Sequence, residues 1–192
     1  SGIDKVTAKS KAREDAEIIF NQLGYHPINL NIQSKFSTQG AKRVLWHISS
    51  NQSWELAIKD LSEEDFLILQ YPSTDFSLLL PNTIAKLKCK LIILIHDWER
   101  FRYLVDKNIS LGRRIKLQRE EMLLRMAHRI IVHNPSMINK MLELGFDKSK
   151  LISLDIFDYL INDYCREKNA ARVNKLDAPI IVAGNLSANK AG

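Results

Sequence analysis

The chain has 192 residues, of which 45% are hydrophobic and 26% charged, with a formal net charge of +6. That length and apolar share suit one α/β-sized domain, or a domain plus a fragment, and exclude a disordered chain. The basic balance fits phosphorylated ligands, nucleic acid or an anionic membrane face without choosing among them, and plain solubility accounts for it equally well.

The first element is a helix over Lys9–Leu23, in which Ala12, Ala16, Ile19, Phe20 and Leu23 recur on one face at period 3.6. Lys11, Arg13, Glu14 and Glu17 take the other side, Thr7 or Ser10 caps the start, and Gly24 ends it. Ile28, Leu30 and Ile32 then alternate with Asn29 and Asn31, which predicts a strand. A polar loop over Gln33–Gly40 precedes a helix over Ala41–Leu61, with an interruption expected around Ser49–Ser53.

The nearly unbroken apolar run Asp65–Tyr71 reads as a parallel strand buried on both faces, ended by Pro72. An apolar helix over Phe76–Leu87 leads to a second such strand, Lys90–Asp97. The next helix, Ser110–Arg129, offers Ile115, Met122, Leu123 and Met126 as apolar contacts. Ile130–Asn134 is a third strand, and Pro135 suits the first turn of a helix that closes at Gly145. Lys150–Phe157 gives another strand, Asp163–Asp177 reads as a polar linker, and Pro179–Gly184 begins a last strand. Strands alternating with helices predict an α/β, Rossmann-like domain, a mostly parallel sheet flanked by helices.

In open parallel sheets ligands bind beyond the C-terminal strand ends. That rule gathers Gln70–Ser73, His96–Glu99, His133–Ser136 and Asp158–Tyr159 into one candidate rim. A carboxylate such as Asp97, or the imidazole of His96, suits general-base work on a hydroxyl, and Arg100 and Arg102 suit a phosphate or carboxylate. The alternative is that His96 or Asp97 only orders the neighbouring loop. His133 and Asn134 suit a hydroxyl-rich ligand, although Asn134 also serves as a helix cap. Gln70 and Tyr71 offer polar contact and a stacking face, and Tyr71 equally suits the core. Lys9, Ser10 and Lys11 open a helix in a way that suits an anion, or are a solvated cap.

No GxGxxG, GK[ST], HExxH or GxSxG occurs. Arg113, Arg114, Lys116 and Arg119 form a basic face that is either solvated or meets nucleic acid or anionic lipid, and no aromatic interleaving supports a single-strand RNA platform. Cys89 and Cys165 show neither CxxC nor Cys/His spacing, which argues against a metal site or disulfide scaffold and for a cytoplasmic setting. The longest apolar run, Leu91–Ile95, falls short of the ~20 residues a membrane span needs, so at most peripheral contact with the inner membrane face is expected. Trp46 and Trp54 serve either the core or a homo-oligomer interface.

The chain carries, in order, Ser10-Lys11-Ala12-Arg13-Glu14-Asp15, Leu23-Gly24-Tyr25, Leu69-Gln70-Tyr71-Pro72, Ile95-His96-Asp97 and Val132-His133-Asn134 with Met137. Leu144-Gly145, Ile156-Phe157-Asp158-Tyr159 and Ala183-Gly184-Asn185-Leu186 follow. This ordered set resembles a bacterial glycosyltransferase family, the glucosyltransferase-3-like and β-1,6-galactofuranosyltransferase-like enzymes of capsule, exopolysaccharide and adhesin glycosylation. The resemblance implies a two-domain GT-B fold that uses no metal or cofactor and takes a nucleotide sugar, a UDP-hexose, as donor. It implies an acceptor-side domain over residues 1–178 and the start of a truncated nucleotide-sugar domain over 179–192.

On that resemblance His96 or Asp97 is the candidate base, Lys9, Ser10 and Lys11 face the cleft, and Asn185 and Lys190 approach the donor diphosphate. The acceptor is a glycan or glycoprotein, with no nucleic acid involved. Two departures from the family pattern are the end at Gly192, before most of a donor domain, and the lack of an apolar strand before the first helix. The chain taken alone is therefore expected to transfer no sugar. A different class of reading is a non-catalytic α/β domain that binds a glycan or protein.

Overall fold

The computed structural model describes residues 8–30, 32, 40–73, 76–103, 109–155 and 160. Ser1–Tyr159 form one compact unit and Leu160–Gly192 a second, and all the elements described belong to the first. The expected linker, the strand from Pro179, and Asp158, Tyr159, Asn185 and Lys190 lie outside the described residues.

Leu, Ile and Val crowd the short runs that become strands because their side chains fill both faces of a covered parallel sheet. Four strands form: β1 (Phe66–Tyr71), β2 (Lys90–Ile95), β3 (Arg129–Val132) and β4 (Leu151–Ser153). They lie in the order β1-β2-β3-β4, every pair parallel. The register sets Tyr71 beside Ile95, and Ile95 beside Val132, so the residues just past these strands converge at one end. This is the α/β, Rossmann-like architecture that the alternating pattern predicts.

Helix α1 (Ala8–Gln22) buries Ala12 and Ala16 as the period requires, and Gly24 leaves it at φ 87°, where a glycine avoids the steric cost of a side chain. It also buries Asp15 completely, with Lys11 Nζ 2.5 Å from its Oδ1. Among the described residues the expected strand over Ile28–Ile32 does not form, since residues 25–30 have no regular structure. Leu30 and Ile32 still pack on the core, and the Ile32 amide donates to the Leu30 carbonyl in a tight local turn. Alternation brought Leu30 and Ile32 onto the core, left Ile28 38% exposed, and supplied no strand to pair with.

Helix α2 (Ala41–Ile58) runs unbroken through the expected interruption. The Ser49 hydroxyl donates to the Trp46 carbonyl and that of Ser53 to the Ser49 carbonyl, so these serines are satisfied inside the helix instead of ending it. Trp46, Ser50, Trp54 and Ile58 form its buried stripe, which assigns both tryptophans to the core.

The helix expected over Phe76–Leu87 contracts to α3 (Leu80–Ile84), with Pro81 in its first turn. Helix α4 (Leu111–Met126) starts at Ser110, whose side chain caps the Arg113 amide, and of its expected contacts Leu123 and Met126 pack on the core while Ile115 and Met122 do not. Leu117, Glu120, Leu123 and Leu124 point inward, while Ile115 and Met122 stay 43% and 38% exposed. A hydropathy pattern passes over a buried carboxylate, and that rotated the expected face. Helix α5 (Pro135–Glu143) packs on β3 and β4. The core joins the strands to Trp54, Phe76, Leu80, Trp98, Leu123, Met141 and Phe146. No described helix is long and apolar enough to cross a membrane.

Candidate functional site

Each parallel strand ends by passing its chain into a polar loop, and the shared register brings those loops together. Gln70 sits at the end of β1, His96 follows β2 directly, and His133 follows β3 directly. Their side chains form one continuous line. His96 Nε2 is 2.7 Å from Gln70 Oε1, and His133 Nε2 is 3.2 Å from His96 Nδ1. The two imidazole rings lie 5.2 Å apart, tilted by 40°. At its far end the Gln70 amide donates to the Arg13 carbonyl at 3.3 Å, and the Arg13 guanidinium donates to the Pro72 carbonyl. Helix α1 is thereby tied to the end of β1. Burial pushes the His133 imidazole below the ordinary histidine pKa, which favours its neutral form.

Asp97 follows His96 and is exposed at the rim. Asn134 caps α5, its side chain accepting the Met137 amide at 3.0 Å, with Pro135 next in the helix. Tyr71 turns away from the rim. Its ring is 2% exposed, and burial together with the Glu120 carboxylate drives its hydroxyl pKa far above the ordinary tyrosine value. The aromatic face the sequence offers for stacking is therefore part of the core. Lys11 is occupied by Asp15, and the side chains of Lys9, Ser10 and Arg102 lie outside the described residues.

Behind the rim, Trp98 is fully buried between Phe101 and Phe146 and anchors the loop after β2. Glu99 next to it pairs with Arg113 at 3.2 Å and Lys116 at 2.7 Å, and Lys116 also meets Glu120 at 3.3 Å. Burial opposes the Lys116 charge, and the two carboxylates outweigh it, so its pKa rises. Arg119 donates to the Leu78 carbonyl at 2.6 Å and to Asn82 Oδ1 at 2.7 Å. Three of the four basic residues of the α4 face are thus held by the protein's own acceptors.

Along the outer side of β1 an open groove of about 300 Å³ is lined by Phe20, Tyr25, Leu30, Trp54, Leu67 and Gln70. It reaches the Gln70 end of the hydrogen-bonded line. Among the described residues no group of three His, Cys, Asp or Glu side chains is placed to hold a metal ion.

Sequence patterning names Gln70, His96, Asp97, His133 and Asn134, and the fold brings all five to one end of the sheet. It misses Arg13, whose carbonyl anchors the line, and Glu120, because neither a helix carbonyl nor a carboxylate in an apolar stripe has a periodic signature. No curated protein matches the chain. The family model described as glucosyltransferase 3-like, N-terminal domain, matches residues 2–156. A parallel α/β sheet with polar residues converging at its strand ends agrees with that match, and the chain belongs to the glucosyltransferase 3-like N-terminal domain family.

Proposed function

We propose that this chain is the acceptor-side domain of a GT-B glycosyltransferase that moves a hexosyl group from a UDP-hexose to a hydroxyl of a glycan or glycoprotein. The observation that carries the reading is the joined line of Gln70, His96 and His133 at the strand ends, with Asp97 at the same rim. A neutral imidazole or a carboxylate there is suited to take a proton from an attacking hydroxyl. His96 and Asp97 are the proton-accepting candidates, with Gln70, His133 and Asn134 lining the acceptor side. The reading places residues 1–178 in this domain and 179–192 at the start of the donor domain, with Asn185 and Lys190 as the residues that approach the donor diphosphate. Its setting is the cytoplasm, with capsule, exopolysaccharide or adhesin glycosylation as the process served.

Amide and imidazole resonances of the 192-residue chain, followed while hexose- and N-acetylhexosamine-terminated oligosaccharides are added, test the acceptor assignment. The expected result is saturable shifts at His96, Asp97, His133 and Asn134. Shifts confined to other surfaces, or none with any sugar, overturn it.

A further inference from the structure

The turn that ends α1 builds one wall of the groove along β1. Gly24 takes φ 87°, its amide donates to the Asn21 carbonyl at 3.0 Å, and the Tyr25 amide donates to the Phe20 carbonyl at 2.9 Å. These are the paired bonds of a glycine-terminated helix end, which bring the side chains before and after the turn together. The Phe20 and Tyr25 rings accordingly meet edge to face, 6.1 Å apart at 73°. Both are half-buried and both line the groove.

Strand β1 borders the same groove with its edge, since the consecutive residues Phe66–Gln70 all line it. The Lys90 amide donates to the Asp65 carbonyl at 3.0 Å and the His96 amide to the Tyr71 carbonyl at 2.8 Å, so the odd-numbered residues bond β2. Phe66, Ile68 and Gln70 therefore turn their main-chain N–H and C=O outward, and no described strand pairs with them. Asn21 and Asn29 add side-chain amides.

Charge decides what such a groove takes. No lysine or arginine is among the described residues that line it, in a chain of net charge +6, and Glu17 is the one carboxylate there. Two cations touch lining residues from outside. Arg13 donates to the Pro72 carbonyl, and Lys90 lies 5.1 Å from the centre of the Phe66 ring. An anionic ligand would meet Glu17 without a counter-charge.

We propose that this groove holds neutral hexose units of the acceptor glycan, which run along β1 from the rim. The apolar face of a pyranose covers the Tyr25 and Phe20 rings. Its hydroxyls, each both donor and acceptor, bond Asn21, Asn29 and the main chain of Ile68. The volume of about 300 Å³ stands at the lower end for small-ligand sites, enough for a short run of sugar and too little for a folded partner. Gln70 and Ser73 border the groove at its rim end, so one glycan reaches both. The ligand's role as acceptor rests on the glycosyltransfer reading.

Titrating the 192-residue chain with neutral oligosaccharides of glucose, galactose and N-acetylglucosamine, and with the same series ending in a uronic acid, tests the proposal by amide and aromatic NMR shifts. Saturable shifts at Asn21, Tyr25 and Ile68 are expected with at least one neutral series, and the uronate-ended form should bind several-fold more weakly. Tyr25→Ala should weaken binding about tenfold, and Tyr25→Phe, which keeps the ring, by no more than about threefold. Glu17 is exposed, so Glu17→Lys keeps the test open should Tyr25→Ala fail to fold, and it should turn the preference toward the uronate. Equal binding of neutral and uronate-ended forms in the wild type overturns the proposal. So do shifts confined to the rim, which leave the glycosyltransfer reading standing. Shifts confined to the groove leave the subsite and sink the rim as the place of transfer, and no shifts with any sugar overturn both. Shifts of the β1 amides with an alternating valine–threonine peptide, and with no sugar, would make the edge a strand-pairing surface and overturn the sugar site.

Discussion

Replacing Arg125 with alanine removes a clasp whose parts can be counted. Its guanidinium donates to the Gly145 carbonyl at 3.0 Å and to the Leu144 carbonyl at 2.7 Å, the two residues that end α5. It also lies 4.4 Å from the centre of the buried Phe146 ring and bonds Glu121 through Nε and a terminal nitrogen at 3.0 and 2.7 Å. The side chain is 43% exposed, so solvent screening sets each carbonyl bond at the ordinary net value of about 1 kcal/mol, below the range for charged donors. Stacking on Phe146 adds about 0.5 kcal/mol or slightly more. The Glu121 pair, one helical turn away and partly solvated, adds roughly 0.3 kcal/mol. Arg125→Ala should therefore cost about 2–3 kcal/mol. Arg125→Lys keeps the charge and one donor but loses the planar fork, and should cost about half of that. Glu121→Gln should cost under about 0.5 kcal/mol. Urea unfolding followed by far-ultraviolet circular dichroism reads all three, and for a slope of about 2 kcal/mol/M the alanine variant's midpoint falls by roughly 1 M. The reasoning fails if alanine and wild type unfold together, or if Glu121→Gln is as damaging as Arg125→Ala.

Other consequences follow from burial. Because the folded pKa of His133 lies below the ordinary value near 6.5, the unfolded chain binds more protons as pH falls through that value. This contribution to stability is full above about pH 6.5 and is lost on acidification toward the folded pKa, so His133→Gln should flatten the decline of Tm between about pH 7 and 5. Equal slopes would contradict the assignment. Leu123 is fully buried on α4, and Leu123→Ala should cost about 2–5 kcal/mol, whereas Ile115→Ala should stay within about 0.5 kcal/mol in the same melts. A larger loss at Ile115 would restore the helix face expected from hydropathy. Cys89 is buried and its thiol pKa is raised chiefly by that burial, so Cys89→Ala should leave the rate of thiol modification of the native protein unchanged.

The strands were legible because their information is local. Phe66–Tyr71 and Lys90–Ile95 are apolar runs long enough to be buried on both faces, and the rim followed from where those runs end. Asn134 before Pro135 likewise announced a capped helix. What escaped depends on partners distant in the chain. Alternation at Ile28, Leu30 and Ile32 marks two side chains that pack on the core, Leu30 and Ile32, but says nothing about whether a neighbouring strand exists. Ser49 and Ser53 look like breakers until their hydroxyls are seen bonded to carbonyls of the same helix. Gln70, His96 and His133 were each recognisable as polar strand-end residues, but that they touch requires the parallel register. Arg13 contributes a main-chain oxygen to that line, for which no side-chain pattern stands.

Glycosyl transfer at this rim is tested most directly by acceptor-dependent UDP release from UDP-hexoses. The assay uses the polypeptide as its native source produces it, with hexose- and N-acetylhexosamine-terminated oligosaccharides as acceptors. Wild type should release UDP only with a suitable acceptor, and losing the proton-accepting group should slow it about 10²–10⁴-fold in His96→Ala or Asp97→Asn variants whose circular dichroism is unchanged. Absence of release with every donor and acceptor, or wild-type rates in both variants, would contradict the account.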